Sequence, residues 1–157
     1  MKAIVVYYSY SGNTKKIAEL IAKQVKADIA RIETVDTYIG SYQNVIDQGK
    51  REVESGYMPK IKSLGVDLAN YDTIILGSPV WWYTFAPAMK TFLSETNLEG
   101  KTIYPFATNG GWIGHTLNDF KKSCTKSIVK DGLNLEFDGK ILITPQKVLF
   151  NWIDNIK

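Results

Sequence analysis

Cysteine and histidine are nearly absent from this chain: Cys124 and His115 are the only ones. One cysteine excludes an internal disulfide and any metal or iron–sulfur site built from several thiolates. One histidine leaves little for a zinc centre. No apolar run is long enough to span a membrane. The N-terminus carries one lysine and passes straight into an apolar stretch. It lacks the long apolar core and small-residue cleavage site of a signal peptide, so the sequence reads as cytoplasmic. Dense charge is lacking too. Nineteen Lys and Arg stand against 16 Asp and Glu, for a net charge of +3 with no basic block, so nucleic acid is not an expected partner. Internal repeats and low-complexity linkers are also missing.

What is present is an ordinary globular composition, 45% hydrophobic and 22% charged over 157 residues. That length predicts one domain, 1–157, with a proper core. Ala3 to Tyr8 form an apolar, β-branched and aromatic run that reads as a buried strand. Ile17, Leu20, Ile21 and Val25 recur at helical spacing, so a helix begins near Thr14. Between them lies Ser9-Tyr10-Ser11-Gly12-Asn13-Thr14. A strand–turn–helix joint of this kind leaves peptide N–H groups unpaired at the positive end of the helix dipole and suits a phosphate. The plainer reading is a Ser/Gly-rich turn that caps a helix.

Several phosphate joints are excluded. The Gly-Lys-Ser/Thr ending of a nucleoside-triphosphate loop is missing, and so is GxGxxG. A phosphatase joint would need a cysteine nucleophile and an arginine, and a phospho-acceptor domain would need carboxylates. Ser9, Ser11, Gly12 and Thr14 instead resemble the flavodoxin phosphate loop, S/T-x-S/T-G-x-T, with Asn13 at its free position.

Further along, Asp28 to Glu33 alternate like a half-buried strand. Val45, Ile46, Gly49 and Val53 make a thin apolar stripe between Gly40 and Gly56-Tyr57-Met58-Pro59. This reads first as a surface helix in a solvated connector, and second, given Tyr38, Tyr42 and Tyr57, as a lid over a ligand. Asp72 to Gly77 form a third strand running into a loop, Ser78 to Tyr83. Pro87 opens a helix striped by Met89, Phe92 and Leu93. Thr102 to Ala107 form a fourth strand, with Pro105 awkward inside it, and lead to Thr108-Asn109-Gly110-Gly111. Leu117, Phe120, Cys124 and Ile128 mark another helix face. Leu133 to Ile143 hold one or two short strands around an Asp138-Gly139 turn. Thr144-Pro145 introduces a closing helix with Val148, Leu149, Trp152, Ile153 and Ile156 inward.

This alternation predicts an α/β fold: a doubly wound, five-stranded parallel sheet with helices on both faces. Ligands bind such sheets beyond the carboxyl ends of the strands. If strands one, three and four are neighbours, the three loops would gather there a phosphate site, the aromatic faces of Trp81, Trp82, Tyr83 and Trp112, and polar groups at Thr108, Asn109, Gly110 and Gly111. Core packing is the expected role of one of Trp81 and Trp82.

The phosphate loop, Gly77-Ser78-Pro79-Val80-Trp81-Trp82 with Ala86 to Leu93, and Thr108 to Gly111 together resemble a short-chain flavodoxin and the related FMN-dependent quinone reductases. The resemblance spans nearly the whole chain. It implies strand order 2-1-3-4-5 and non-covalent FMN. Ser9, Ser11, Gly12, Asn13 and Thr14 would hold the phosphate. Pro79, Val80, Trp81, Trp82 and Tyr83, with Thr108, Asn109, Gly110 and Gly111, would flank the ring system. Electrons would pass to a redox partner protein or to a small acceptor such as a quinone.

Two departures favour a two-electron NAD(P)H:quinone-type reductase over a one-electron carrier. Carriers in this family are usually strongly acidic, whereas this chain has a pI of about 8.8. Many also place a glycine where a peptide flip stabilises the one-electron-reduced flavin. Pro79 to Tyr83 contain none, and positive φ is unfavourable for Val or Trp. A non-catalytic interaction module is the remaining alternative. His115 reads as a first-turn surface residue or as a proton donor. Cys124 reads as buried packing, and Lys15 and Lys16 as solvated charge.

Overall fold

The computed structural model describes residues 1–157. In chain order the elements are β1 (Ala3–Tyr7), α1 (Asn13–Val25), β2 (Asp28–Arg31), α2 (Tyr42–Ser55), β3 (Thr73–Trp81), β4 (Thr84–Phe85), α3 (Pro87–Glu95), β5 (Thr102–Asn109), α4 (Thr116–Ser123), β6 (Ile128–Val129), β7 (Leu133–Asp138), β8 (Ile141–Leu142) and α5 (Gln146–Ile156). The five longer strands are parallel and lie in the order β2-β1-β3-β5-β7, the flavodoxin-like order. Three two-residue strands enlarge the expected five to eight: β4 on β3, β6 on β5 and β8 on β7.

All five residues of β1 are buried because helices cover both faces. The two-residue period of the strand divides them. Ile4 and Val6 pack with Met89, Phe92 and Phe120 of α3 and α4. Ala3, Val5 and Tyr7 pack with Ile17 and Ile21 of α1 and Leu149 and Ile153 of α5. Burying each large apolar side chain contributes about 1.5–3 kcal/mol. Val148, expected inward, is exposed, while Leu149, Trp152, Ile153 and Ile156 form the buried stripe.

Two strands outrun the sequence reading. β3 does not stop at Gly77: Ser78 and Pro79 stay paired with Ala107 and Thr108, and Trp81 turns back onto Thr84. Buried Ser78 holds this return, its Oγ accepting from the Ala86 N–H at 3.0 Å. β5 likewise continues to Asn109.

Pro105 sits within central β5, and the sheet accommodates it by breaking the neighbouring strand. The ladder to β3 runs unbroken through Leu76–Pro105. On the other edge, β6 ends opposite Ile103 and β7 begins opposite Phe106. The Lys130 N–H donates to the Ile103 carbonyl, so Ile103 and, two residues on, Pro105 present their peptide groups to this edge. Pro105 has no N–H to offer there. The Asp131 carbonyl in the break accepts instead from Trp152 Nε1 at 2.9 Å.

Candidate functional site

The loop after β1 is closed from within. Buried Ser9 Oγ accepts from the N–H groups of Gly12 and Lys15, each at 3.2 Å. Gly12 takes φ 103°, open to glycine at little cost. The N–H groups of Tyr10, Ser11, Asn13 and Thr14 have no acceptor in the protein. Four free peptide donors thus stand at the positive end of a 13-residue helix. Behind them, Thr14 Oγ1 and Thr108 Oγ1 share one hydrogen bond of 2.8 Å, which leaves one hydroxyl proton to donate outward. Arg31 Nη2 ties the Ser9 carbonyl at 3.0 Å.

The second element is the β3–β4 hairpin. Trp81 and Thr84 pair across it, and Trp82 and Tyr83 form its two-residue turn at φ 50° and 73°. The glycine-free loop was expected to avoid positive φ. Instead, the hairpin twist demands left-handed residues at both turn positions, and the surroundings hold them there. Trp82 Nε1 donates to the Ile46 carbonyl at 3.1 Å. The Lys50 ammonium lies 5.2 Å from the Trp82 ring centre. The His115 N–H donates to the Tyr83 carbonyl at 2.8 Å. Gly114 abuts that residue so closely that a Cβ there would lie 2.3 Å from the Tyr83 oxygen. The left-handed conformation is already adopted, so the missing glycine does not by itself disfavour one-electron chemistry, while the basic pI still does.

His115 occupies the capping position of α4. Its Nδ1 pairs with Asp119 Oδ2, which also accepts from Thr84 Oγ1 at 2.5 Å. The His115 ring is exposed. It lines a groove of about 440 Å³ with Glu52, Tyr57, Lys90 and Lys122.

The third element is the end of β5. Asn109 Oδ1 accepts from the Gly111 N–H at 2.9 Å, and its Nδ2 donates to Asn134 Oδ1 at 2.6 Å, so the side chain shapes the turn.

These elements wall a groove of about 550 Å³. Of the residues expected there, Ser11, Asn13, Pro79, Val80, Trp81, Trp82, Thr108, Asn109 and Gly110 line it. Ser9, Gly12 and Thr14 are not among its lining residues; they shape the loop behind it. Tyr83 and Gly111 also fall outside, and Tyr83 meets Trp112 edge-on at 6.0 Å on the adjoining surface.

Residues outside the expected cofactor set also line the groove: Tyr10, then Tyr42, Val45, Ile46 and Gly49 of α2, the segment whose second reading is a lid, and Phe137, Gly139 and Lys140. The α2 segment, read first as a connector, is a wall. Its aromatic residues were the available signal. Tyr38 donates to buried Glu52 at 2.6 Å, and Gln48 Nε2 donates to the same carboxylate at 2.7 Å. Burial, then Glu52, push the Tyr38 phenol well above the usual tyrosine range. Trp81 is the core-packing member of the tryptophan pair, with Tyr38 at 5.0 Å and Tyr8 and Tyr10 at 6.0 Å, all edge-on. Cys124 is buried, and burial alone pushes its thiol up to about 11. Lys15 makes an exposed pair with Glu19 at 3.9 Å.

A family model for flavodoxins matches residues 2–156. The chain belongs to the flavodoxin family. Within that family it is similar to a solved structure from Bacteroides eggerthii, 29% identical, covering 99% of this chain and 97% of the other with TM-score 0.82. It is also similar to a flavoprotein solved in complex with FMN from Lactobacillus acidophilus NCFM, 28% identical, covering 85% of this chain and 91% of the other with TM-score 0.74. An NAD(P)H dehydrogenase (quinone) of Archaeoglobus fulgidus is 27% identical over 121 residues, 69% of this chain. The match spans 61% of that relative's length, and 44% for a second curated relative. No helix of this flavodoxin is long and apolar enough to cross a membrane. No group of three or more His, Cys, Asp or Glu residues could hold a metal ion.

Proposed function

We propose that residues 1–157 form one domain that binds FMN non-covalently and transfers electrons through it. One observation carries this reading. Four peptide N–H groups without a protein acceptor follow β1, three of them on residues, Tyr10, Ser11 and Asn13, that line a groove of about 550 Å³ walled by tryptophan and tyrosine. A phosphate supplies the acceptors those donors lack. A groove of several hundred Å³ with aromatic walls and a few convergent polar groups suits a flat cofactor. The FMN complex of the Lactobacillus relative supports the same assignment.

Bound FMN supplies the redox chemistry. The chain positions it and controls access. The peptides of Tyr10, Ser11, Asn13 and Thr14, with the hydroxyls of Ser11 and of the Thr14–Thr108 pair, hold the phosphate. Ser9 and Gly12 keep the loop in shape. Pro79 to Trp82 and Thr108 to Gly110 flank the ring system, and Tyr83 and Gly111 set the rim. The α2 wall excludes water from one side, held against the hairpin by Trp82 and Ile46. His115 and Asp119 fix the hairpin from the opposite side.

A small flat acceptor such as a quinone fits the mouth better than a docked redox protein. Tyr42, Tyr83 and Trp112 are 76%, 50% and 68% exposed there, an aromatic rim open to a ligand. The Archaeoglobus relative's quinone dehydrogenase name agrees with this finer reading. The test is reductive titration of the FMN-loaded protein with NADH and NADPH, followed by a water-soluble quinone. Reoxidation by the quinone at a rate saturating with its concentration supports it. Reoxidation by a redox protein alone would leave the FMN carrier reading and remove the quinone.

A further inference from the structure

We infer that Lys140 is a specificity-determining residue for the phosphate end of the ligand, its ammonium making the cradle prefer a phosphorylated flavin to an unphosphorylated one. This rests on the FMN reading above and adds to it a residue 129 positions from Ser11 in the chain.

Register places the β7–β8 turn on Gly139 and Lys140, since Asp138 pairs with Ile141. The turn is centred one residue later than the Asp138-Gly139 dipeptide predicts, and that shift puts the lysine at its tip. Two contacts pin the turn to the phosphate loop. Asn13 Nδ2 donates to the Gly139 carbonyl at 2.8 Å, and Lys140 Nζ donates to the Ser11 carbonyl. A Cβ on Gly12 would lie 3.5 Å from that same Nζ. Gly139 and Lys140 both line the groove. The first turn of α1 carries no acidic side chain to neutralise a cation there.

The peptide cradle alone attracts an anion through dipoles. An ammonium adds a full charge and three donors, and one donor satisfies Ser11 while the others remain for phosphate oxygens. A bond between two charged groups is roughly twice as strong as a neutral one. Because Lys140 is exposed, its contribution is screened by salt. A flavin without phosphate offers this lysine only neutral hydroxyl acceptors, so the residue acts on the difference between the two ligands.

The test uses the full chain freed of flavin, titrated with FMN and with riboflavin at low and high salt by quenching of flavin fluorescence. Lys140→Met keeps the side-chain stem and removes the charge. FMN affinity is expected to fall about tenfold or more, with riboflavin affinity within about twofold of wild type. The salt dependence of FMN binding should flatten. Lys140→Arg should restore most of the loss, and Lys16→Met should change neither ligand. Unchanged FMN preference in Lys140→Met overturns the role of Lys140 while leaving the FMN reading intact. Equal losses for both flavins show a structural role and also overturn it. A wild-type protein that binds neither flavin overturns the FMN reading itself.

Discussion

Replacing Gly114 by alanine should damage both the fold and the cofactor groove, and the structure gives the size of the effect. Gly114 has φ 58°, a left-handed conformation that costs an L-residue roughly 1–2 kcal/mol. Its new Cβ would meet the Tyr83 carbonyl oxygen at 2.3 Å and the Tyr83 Cα at 2.5 Å. Both are backbone atoms, so no side-chain rotation relieves the contact, and overpacking of this kind costs about 1–3 kcal/mol. The sum is about 2–5 kcal/mol, or roughly 4–20 °C in Tm for a chain of this length. Gly100→Ala isolates the first contribution. Gly100 has φ 76° but nothing within 4 Å of its would-be Cβ, so only the conformational part should appear. Urea denaturation of the two variants compares them directly. FMN titration should show that Gly114→Ala also weakens binding, because the hairpin that shifts carries Trp82. Equal stability losses for Gly100→Ala and Gly114→Ala, with FMN affinity unchanged, would refute the claim that Gly114 clamps the Trp82-Tyr83 turn.

Further outcomes are open to measurement. Thr14→Val leaves the buried Thr108 hydroxyl without its partner and should cost about 1–3 kcal/mol in urea unfolding, whereas Thr14→Val with Thr108→Val should recover part of that; an additive double variant would contradict the pairing. Tryptophan fluorescence should be quenched as FMN enters, since Trp81 and Trp82 line the groove; equal emission with and without FMN, after correction for absorption, would remove them from the site. The Cys124 thiol rises from 9.0 to about 11 on burial. The unfolded chain therefore loses this proton first, and the thiol's contribution is complete below pH 9 and lost progressively between pH 9 and 11. Comparing Cys124→Ala with wild type across that window should reveal about 2–3 kcal/mol of this pH dependence; identical slopes would show that the thiol ionises as readily in the fold.

The long strands and the loops that wall the groove were legible in the sequence because local patterns carried them, whereas the strand order came only with the family resemblance. The apolar run of Ala3 to Tyr8, the hydroxyl-rich joint and the Gly110-Gly111 turn each announce themselves within a few residues. What stayed hidden depended on neighbours distant in the chain. Pro105 reads as a strand breaker, yet the broken strand is β6–β7, because that edge faces the missing N–H. Trp82 reads as unfit for positive φ, and only the packing of Gly114, His115 and Ile46 against the turn shows why Trp82 and Tyr83 adopt it. The α2 segment looks solvated because its inward stripe is thin, and its partner surface, Trp81 and Trp82, lies some thirty residues on. Lys140 carries no signal at all until the β7–β8 turn is seen resting on Ser11.

If the free peptide donors after β1 hold the phosphate of a flavin in the adjoining groove, a flavin without that phosphate must bind more weakly. Isothermal titration of the flavin-free chain with FMN, riboflavin and inorganic phosphate tests it most directly. The expected result is one FMN per chain, riboflavin weaker by about tenfold or more, and phosphate competing with FMN but not with riboflavin. FMN and riboflavin binding with equal affinity, or phosphate leaving FMN binding untouched, would contradict it.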